Sequence, residues 1–101
     1  MYFVVSETKS NSFNNYQALQ ESDLIEKGWV PAFIPKSAHN IKEQHRVDVT
    51  DIYVEFYFKE NDNSFLTNNC KIESQDIYLC ENNGYPVKII INNNHATIQN
   101  I

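Results

Sequence analysis

The chain has 101 residues, with 13 acidic and 8 basic side chains and a formal net charge of −5 at pH 7. This length corresponds to a single domain, residues 1–101, and excludes a multidomain enzyme. The acidic balance argues against a nucleic-acid-binding protein, which usually concentrates lysine and arginine on one face. No apolar run is long enough to span a membrane. With 42% apolar and 13% aromatic residues, the chain is also too hydrophobic for a disordered tail.

The N-terminal part predicts a short edge strand followed by a helix. Residues 2–6 alternate weakly and favour the strand. From Ser12, which can cap a helix, apolar side chains recur at spacings of three and four. We expect this helix to run to Lys27, because Gly28 then supplies a left-handed stop.

An extended apolar segment follows at residues 28–35. Pro31 and Pro35, four residues apart, forbid both a helix and a central strand there. We expect the segment to lie on the sheet. Trp29 within it is either part of the core or an exposed contact residue.

A second short helix is predicted for residues 38–45. Ser37 precedes it and can serve as its cap. Ile41 is the residue expected to point towards the core.

The clearest strand in the sequence runs from Thr50 to Lys59. Its residues alternate strictly between two faces and are mostly β-branched or aromatic, which is typical of a half-buried strand. One face carries Ile52, Val54, Phe56 and Phe58, and the other carries Asp51, Tyr53, Glu55, Tyr57 and Lys59. The first set is expected to fill the core.

The last third predicts a meander of three strands, at residues 76–81, 85–91 and 95–101. Asn83-Gly84 favours a type I′ turn, because both central positions of that turn need a positive φ. With such a two-residue loop, Cys80 is expected opposite Val87.

The expected fold class is therefore α+β. Two short N-terminal helices would pack on a four-stranded, mainly antiparallel sheet, with a small helical insert after the first main strand. That insert would span one or two turns, capped by Asn63 or Ser64.

No motif for catalysis or cofactor binding stands out. Two glycines in the whole chain are too few for a phosphate-binding loop. His39 and His45 lie six residues apart, which is not the spacing that chelates zinc on a helix. Cys70 and Cys80 would be free thiols in a reducing cytosol and could form a disulfide in an oxidising compartment. We expect no catalytic residue, no metal site and no cofactor, and hence no enzyme.

The outer face of the main strand is the candidate partner-binding surface. We call Asp51, Tyr53, Glu55 and Tyr57 the tyrosine–carboxylate row. Tyrosines offer rigid contact area, and carboxylates pair with lysine or arginine of a partner. The alternatives are that this face is merely solvated or that its tyrosines lie under the N-terminal segment.

One part of the chain resembles a known family. The residues concerned are Gly28-Trp29-Val30-Pro31, Pro35, Ser37-Ala38 and Asn40-Ile41. In this order they resemble the YbbD-type head domain of uncharacterised small bacterial proteins, over about residues 16–58. The resemblance implies a small α+β domain and supplies no catalytic residue. Some members resemble exported envelope proteins, and others resemble small immunity proteins encoded near toxins.

These observations lead to two functional expectations. The first is a non-enzymatic, acidic protein-binding domain, most concretely an immunity-type protein that neutralises a bacterial toxin with a basic domain. The alternative is an exported, envelope-associated structural domain, which predicts a Cys70–Cys80 disulfide. The N-terminus lacks the basic region of an intact signal peptide, so a cytoplasmic protein is expected. Removal of a leader would instead indicate the periplasm or envelope.

Overall fold

The structure is a computed structural model that describes residues 8–46, 52–82 and 84–101. Within these ranges the chain forms seven strands and two short helices. The strands are β1 (Thr8–Asn15), β2 (His39–Arg46), β3 (Ile52–Tyr57), β4 (Cys70–Ser74), β5 (Ile77–Asn82), β6 (Tyr85–Asn92) and β7 (His95–Asn100). The helices are α1 (Tyr16–Gln20) and α2 (Ser64–Asn69). All seven strands join one antiparallel sheet, in the order β1-β2-β3-β7-β6-β5-β4.

The predicted fold class, two N-terminal helices on a four-stranded sheet, is wrong. The segment expected to form the second helix is strand β2, paired with β1 on one side and β3 on the other. Ile41, Glu43 and His45 are its buried residues, and they alternate with exposed ones. Because two of these three inward side chains are polar, the period of two was hidden in the hydrophobic pattern.

The first predicted helix is also wrong over most of its length. Residues 8–15 form β1, and helix α1 spans only five residues. Asn15, rather than Ser12, caps α1, since its side-chain oxygen accepts a hydrogen bond from Ala18 N at 2.9 Å. Asp23 has a φ of 69°, a left-handed conformation that interrupts the helical path soon after α1 ends.

Gly28 adopts the left-handed conformation predicted for it, with a φ of 84°. It closes a turn rather than a long helix. Gly28 N donates to Ile25 O at 3.1 Å, and Trp29 N donates to Leu24 O at 3.0 Å. This pair of bonds is the Schellman arrangement, in which a left-handed residue lets the chain leave a helical turn. The chain therefore leaves the helical turn at Gly28 and continues through Trp29 into the extended apolar segment.

The main strand is confirmed over Ile52–Tyr57, where β3 lies, and the three later strands are confirmed as β5, β6 and β7. Ile52, Val54 and Phe56 of β3 are buried and alternate with outward residues. In the β5–β6 hairpin Cys80 lies opposite Val87, as the two-residue loop predicts. Asn83 of that loop, Asp51 and the predicted edge strand at residues 2–6 lie outside the described residues.

The small helical insert after the main strand is confirmed as α2. Asn63 occupies its N-cap position but makes no capping hydrogen bond with its side chain. Phe65 and Leu66 are the residues of α2 that face the core. Neither helix in the described ranges has the length and apolar character needed to cross a membrane.

One face of the sheet is covered, and we call it the covered face. The segment between β1 and β2 and helix α2 lie against it and contribute buried side chains to the core. They are Leu19, Leu24, Val30, Ile34, Ala38, Phe65 and Leu66. Pro31 and Pro35 are buried as well, which confirms that the extended apolar segment packs on the sheet. In the described part of the chain, no element packs on the opposite side, which we call the open face.

Cys70 and Cys80 lie directly opposite each other in β4 and β5, and their sulfurs are bonded. The bond joins residues ten apart in sequence and fastens β4, at one edge of the sheet, to β5. Of the two states left open by the sequence, the structure therefore has the disulfide.

Candidate functional site on the open sheet face

The described members of the tyrosine–carboxylate row lie on the open face. Tyr53 is 36% exposed and Tyr57 is 42% exposed, so both rings present contact area to the outside. Glu55 lies between them on β3, with its side chain 26% exposed. A binding role for the row stays a prediction, but its geometry is that of an accessible surface.

Strand β7 adds His95 to the row, a neighbour that the sequence did not reveal. Tyr57 is paired with His95 across the ladder, and their ring centroids are 4.7 Å apart. His95 Nε2 lies 3.4 Å from Glu55 Oε2. The hydroxyl of Tyr53 donates to the same carboxylate oxygen, also at 3.4 Å. Only the β3–β7 pairing brings His95 here, and strand pairing is not encoded in local sequence pattern.

Strand β2 contributes a bulge to the same surface. It holds one more residue than β3 between the pairs His39–Tyr57 and Lys42–Glu55. Asn40 within the bulge has a φ of 48°, a left-handed conformation that asparagine tolerates better than most residues. The bulge leaves the His39 ring at 6.0 Å from that of Tyr57. Bulges of this kind commonly redirect side chains beside functional sites.

A depression of about 330 Å³ lies between the bulge and β7. Its lining consists of Ser12, Phe13, Asn14, Asn40, Ile41, Lys42, Glu55, Tyr57 and His95. It thus combines one cation, one carboxylate, two aromatic residues, an imidazole and several neutral hydrogen-bonding groups.

The pKa of Tyr53 shows the electrostatic effect of its neighbours in the row. Partial burial raises the pKa of its hydroxyl above the usual 10.0, and the negative charge of Glu55 raises this pKa further. The hydrogen bond to Glu55 acts in the same direction, and one with Thr97 opposes it. Tyr53 is therefore held in its neutral, hydrogen-bond-donating form.

The acidic excess of the chain is not concentrated on the open face. Among the described side chains there, Glu55 is flanked by Lys42 on β2, and Lys88 lies further along the same face on β6. Many acidic residues lie instead in turns and edge segments, namely Glu21, Asp23, Glu26, Glu60, Asp62, Glu73 and Asp76. Among the described residues, the negative charge is therefore spread over the molecule rather than concentrated on the open face.

A second chemical cluster lies on the covered face. Glu43 is fully buried, and each of its two carboxylate oxygens accepts a hydrogen bond. Asn11 Nδ2 donates to Oε1 at 2.9 Å, and His45 Nδ1 donates to Oε2 at 2.5 Å. The ring of Trp29 stacks on the His45 imidazole, with centroids 4.1 Å apart and planes 13° apart.

This cluster defines the role of Trp29 in the fold. The indole is half-buried and packs against the core, so Trp29 is a packing residue rather than an exposed contact. The buried carboxylate orients the imidazole, and the imidazole supports the indole. The hydrophobic pattern predicts a helix for residues 38–45, so it does not reveal Glu43 and His45 as a pair. Their spacing of two, together with Ile41, is the signal of a shared strand face.

Comparison with known proteins identifies one relationship. A family model described as the YbbD head domain matches residues 7–57. The match spans β1 to β3 and includes Asn11, Trp29, Glu43 and His45 of the buried cluster. No curated protein and no solved structure matches the chain.

Proposed function

The chain belongs to the YbbD head domain family, and on that premise we propose that it is a non-enzymatic, protein-binding domain. Its contact surface is the open face of the sheet. The observation that carries this proposal is the exposure of Tyr53 and Tyr57, two large aromatic side chains on the same face of strand β3. Tyrosine is one of the residue types that most often dominate the binding energy of a protein interface.

The polar groups around the tyrosines suit a protein partner. Glu55, His95 and Lys42 provide acceptors and donors beside the aromatic rings. Such a mixture of aromatic centre and polar surroundings resembles the anatomy of protein interfaces, in which the rim hydrogen-bonds and the centre excludes water.

The most concrete version of this function is immunity to a bacterial toxin. A net charge of −5 on a small domain steers it towards a basic partner from a distance, although no acidic patch is needed on the open face for that effect. The two tyrosines would then supply short-range affinity, and the charge would supply the rate of association.

Co-expression with the product of the adjacent upstream gene tests this version. We expect the chain to relieve the growth defect caused by that product and to form a stable complex with it. A double variant, Tyr53→Ala with Tyr57→Ala, should lose the relief.

Tyr85→Ala is the matched control, because Tyr85 is also an exposed tyrosine, 55% accessible, but lies at the start of β6 away from the row. It should protect as well as the unaltered chain. If the upstream product is harmless, or if the chain neither binds it nor relieves its toxicity, the immunity proposal fails.

An exported, envelope-associated structural domain is the second candidate, and the disulfide favours it. Cys70–Cys80 is a bond of the kind that persists in oxidising compartments. Thiol titration of denatured protein, purified from its native source with the thiols blocked at lysis, separates the candidates. Absence of reactive thiols supports export, whereas two thiols per chain contradict it.

A further inference from the structure

Two opposite charges face the same depression on the open face without pairing. Lys42 and Glu55 are partners in the β2–β3 ladder, and both line the depression. Opposite charges at directly paired positions ordinarily attract each other. Yet Lys42 forms no ion pair with Glu55 or with any other described residue. Each charged group therefore keeps its capacity to bind something else.

The bonding of Glu55 leaves room for a further donor. Both of its contacts, from His95 and from Tyr53, go to Oε2, and both are long at 3.4 Å. Oε1 accepts no hydrogen bond from the part of the chain that is described. A carboxylate has about four acceptor positions, so this one is incompletely satisfied by the protein.

We propose that the depression binds a small dipolar molecule of amino-acid size, with its ammonium group against Glu55 and its carboxylate against Lys42. The volume of about 330 Å³ suits such a ligand and lies near the lower end of the range for small-molecule pockets, about 300–1,000 Å³. The ring of Tyr57 forms one wall, where a cation gains from the negative face of the aromatic system.

The charges also explain which molecules the site discriminates against. A ligand with only a positive charge is attracted by Glu55 and repelled by Lys42, and a purely negative ligand meets the reverse. A dipolar molecule satisfies both groups at once, which gives specificity through the cost to competitors. Ser12, Asn14 and Asn40 add neutral partners around the charges.

The backbone supports a built site at this place. The β2 bulge offsets His39 and Lys42 relative to β3 and puts Asn40 at the rim of the depression. Asn40 retains a left-handed φ there, although a regular strand would avoid it. This inference concerns the isolated chain and does not depend on the protein partner proposed above.

The test uses the full chain and a series of simple probes. Glycine, β-alanine and γ-aminobutyrate carry the same two charges at increasing separation, while propylammonium and propionate each carry one. Two-dimensional amide NMR spectra recorded during titration should show saturable shifts for at least one dipolar probe. The shifts should centre on Ser12, Asn40 and His95. Both single-charge probes should bind about tenfold more weakly or worse, the effect of losing one charged hydrogen bond.

Variants assign the binding to the two charges. Glu55→Gln and Lys42→Met should each weaken the best dipolar probe by about tenfold. Glu81→Gln and Lys88→Met remove one charge of each sign outside the depression and should leave binding unchanged. Their spectra also show whether each variant stays folded.

The proposal is overturned if no dipolar probe gives saturable shifts in the millimolar range. It is equally overturned if single-charge probes bind as well, or if the two depression variants bind like their controls. None of these outcomes bears on binding of a protein to the tyrosine row, so the two proposals fail independently.

Discussion

At the scale of single residues, the burial of Glu43 is costly in free energy, because its side chain carries a charge. A fully buried carboxylate loses its hydration and is tolerated only because other groups replace the water. Here Asn11 and His45 form hydrogen bonds to the carboxylate in place of water, and the ring of Trp29 stacks on the imidazole of His45. The cluster connects the segment after Gly28 to strands β1 and β2, so its energetics should be visible in the stability of the whole domain.

We predict strong coupling between Glu43 and His45. His45→Leu leaves a buried carboxylate with one partner and should lower the free energy of unfolding by about 3 kcal/mol. Glu43→Leu leaves a nearly buried imidazole without its acceptor and should cost about 1–3 kcal/mol. The double variant should regain most of the loss, because two apolar side chains replace the pair. Urea unfolding of the four proteins measures these energies.

Glu26→Gln serves as the control, since Glu26 is exposed and should change the stability by no more than about 0.5 kcal/mol. Additive effects of the two single changes would show that the buried pair is not coupled. Such a result would contradict the assignment of its hydrogen bond.

The raised pKa of Tyr53 leads to a prediction about the stability of the domain at alkaline pH. Its pKa is raised in the folded state, mainly by burial and next by Glu55, so the folded protein holds the phenol proton more tightly than the unfolded chain does. The resulting contribution to stability is complete below pH 10.0 and is lost as the pH rises through the raised pKa. Glu55→Gln should bring the pKa down without restoring the ordinary value, because burial is the larger cause.

Comparison of the phenolate absorbance of the unaltered chain and of Tyr53→Phe isolates this titration from the other tyrosines. The same difference recorded in the Glu55→Gln background should be displaced to lower pH. An unchanged titration there would mean that the carboxylate does not act on Tyr53.

At the scale of elements, the disulfide holds the edge strand β4 in place. β4 pairs with β5 alone among the described strands, and most of its side chains are exposed. It buries little apolar area of its own. Its position should therefore depend on the covalent link from Cys70 to Cys80 more than on packing.

Reduction of that bond should destabilise the domain by about 2–3 kcal/mol, the effect expected for closing a loop of this length. Urea unfolding with and without reductant measures it. The variant Cys70→Ser with Cys80→Ala has no thiols, so its free energy of unfolding should not change when reductant is added. An equal response of both proteins would show that reductant acts elsewhere.

The elements also show how far the sequence can be interpreted without a structure. Strand β3 and the β5–β6 hairpin were predictable, because β3 alternates apolar and polar residues and Asn83-Gly84 specifies a tight turn. Strand β2 was not predictable, because Glu43 and His45 occupy inward positions at which a strand pattern requires apolar residues. The chemistry of the buried pair and the error in fold class thus have the same cause.

The candidate site divides in a similar way. Alternation on β3 was sufficient to place Tyr53, Glu55 and Tyr57 on one surface. His95 and Lys42 join them only through pairing of β3 with β7 and β2, a non-local property of the sheet. Sequence pattern alone therefore found the row but not the depression beside it.

At the scale of the whole molecule, the family match and the structural unit differ. The YbbD head domain match ends at β3, in the middle of the sheet, while β7 completes the burial of β3 from beyond the match. Val54 lies opposite Ile98, and Phe56 lies opposite Ala96. All four side chains are fully buried.

A chain truncated after Tyr57 should therefore fail to fold cooperatively. It would expose Val54 and Phe56, whose burial contributes about 1.5–3 kcal/mol each, along with the free edge of β3. Thermal unfolding followed by circular dichroism should show no sigmoidal transition for the truncated chain. A cooperative transition would mean that β1 to β3 and their covering segment form an independent domain.

The central claim is that the open face, through its tyrosines, is where this domain binds a protein. The most direct measurement is the dissociation constant of the complex with the upstream gene product, determined for the unaltered chain, the Tyr53→Ala, Tyr57→Ala double variant and Tyr85→Ala. Two binding residues that contribute more than about 1 kcal/mol each should together weaken the complex about thirtyfold or more, while Tyr85→Ala leaves it unchanged. A double variant that binds as tightly as the unaltered chain would contradict the claim.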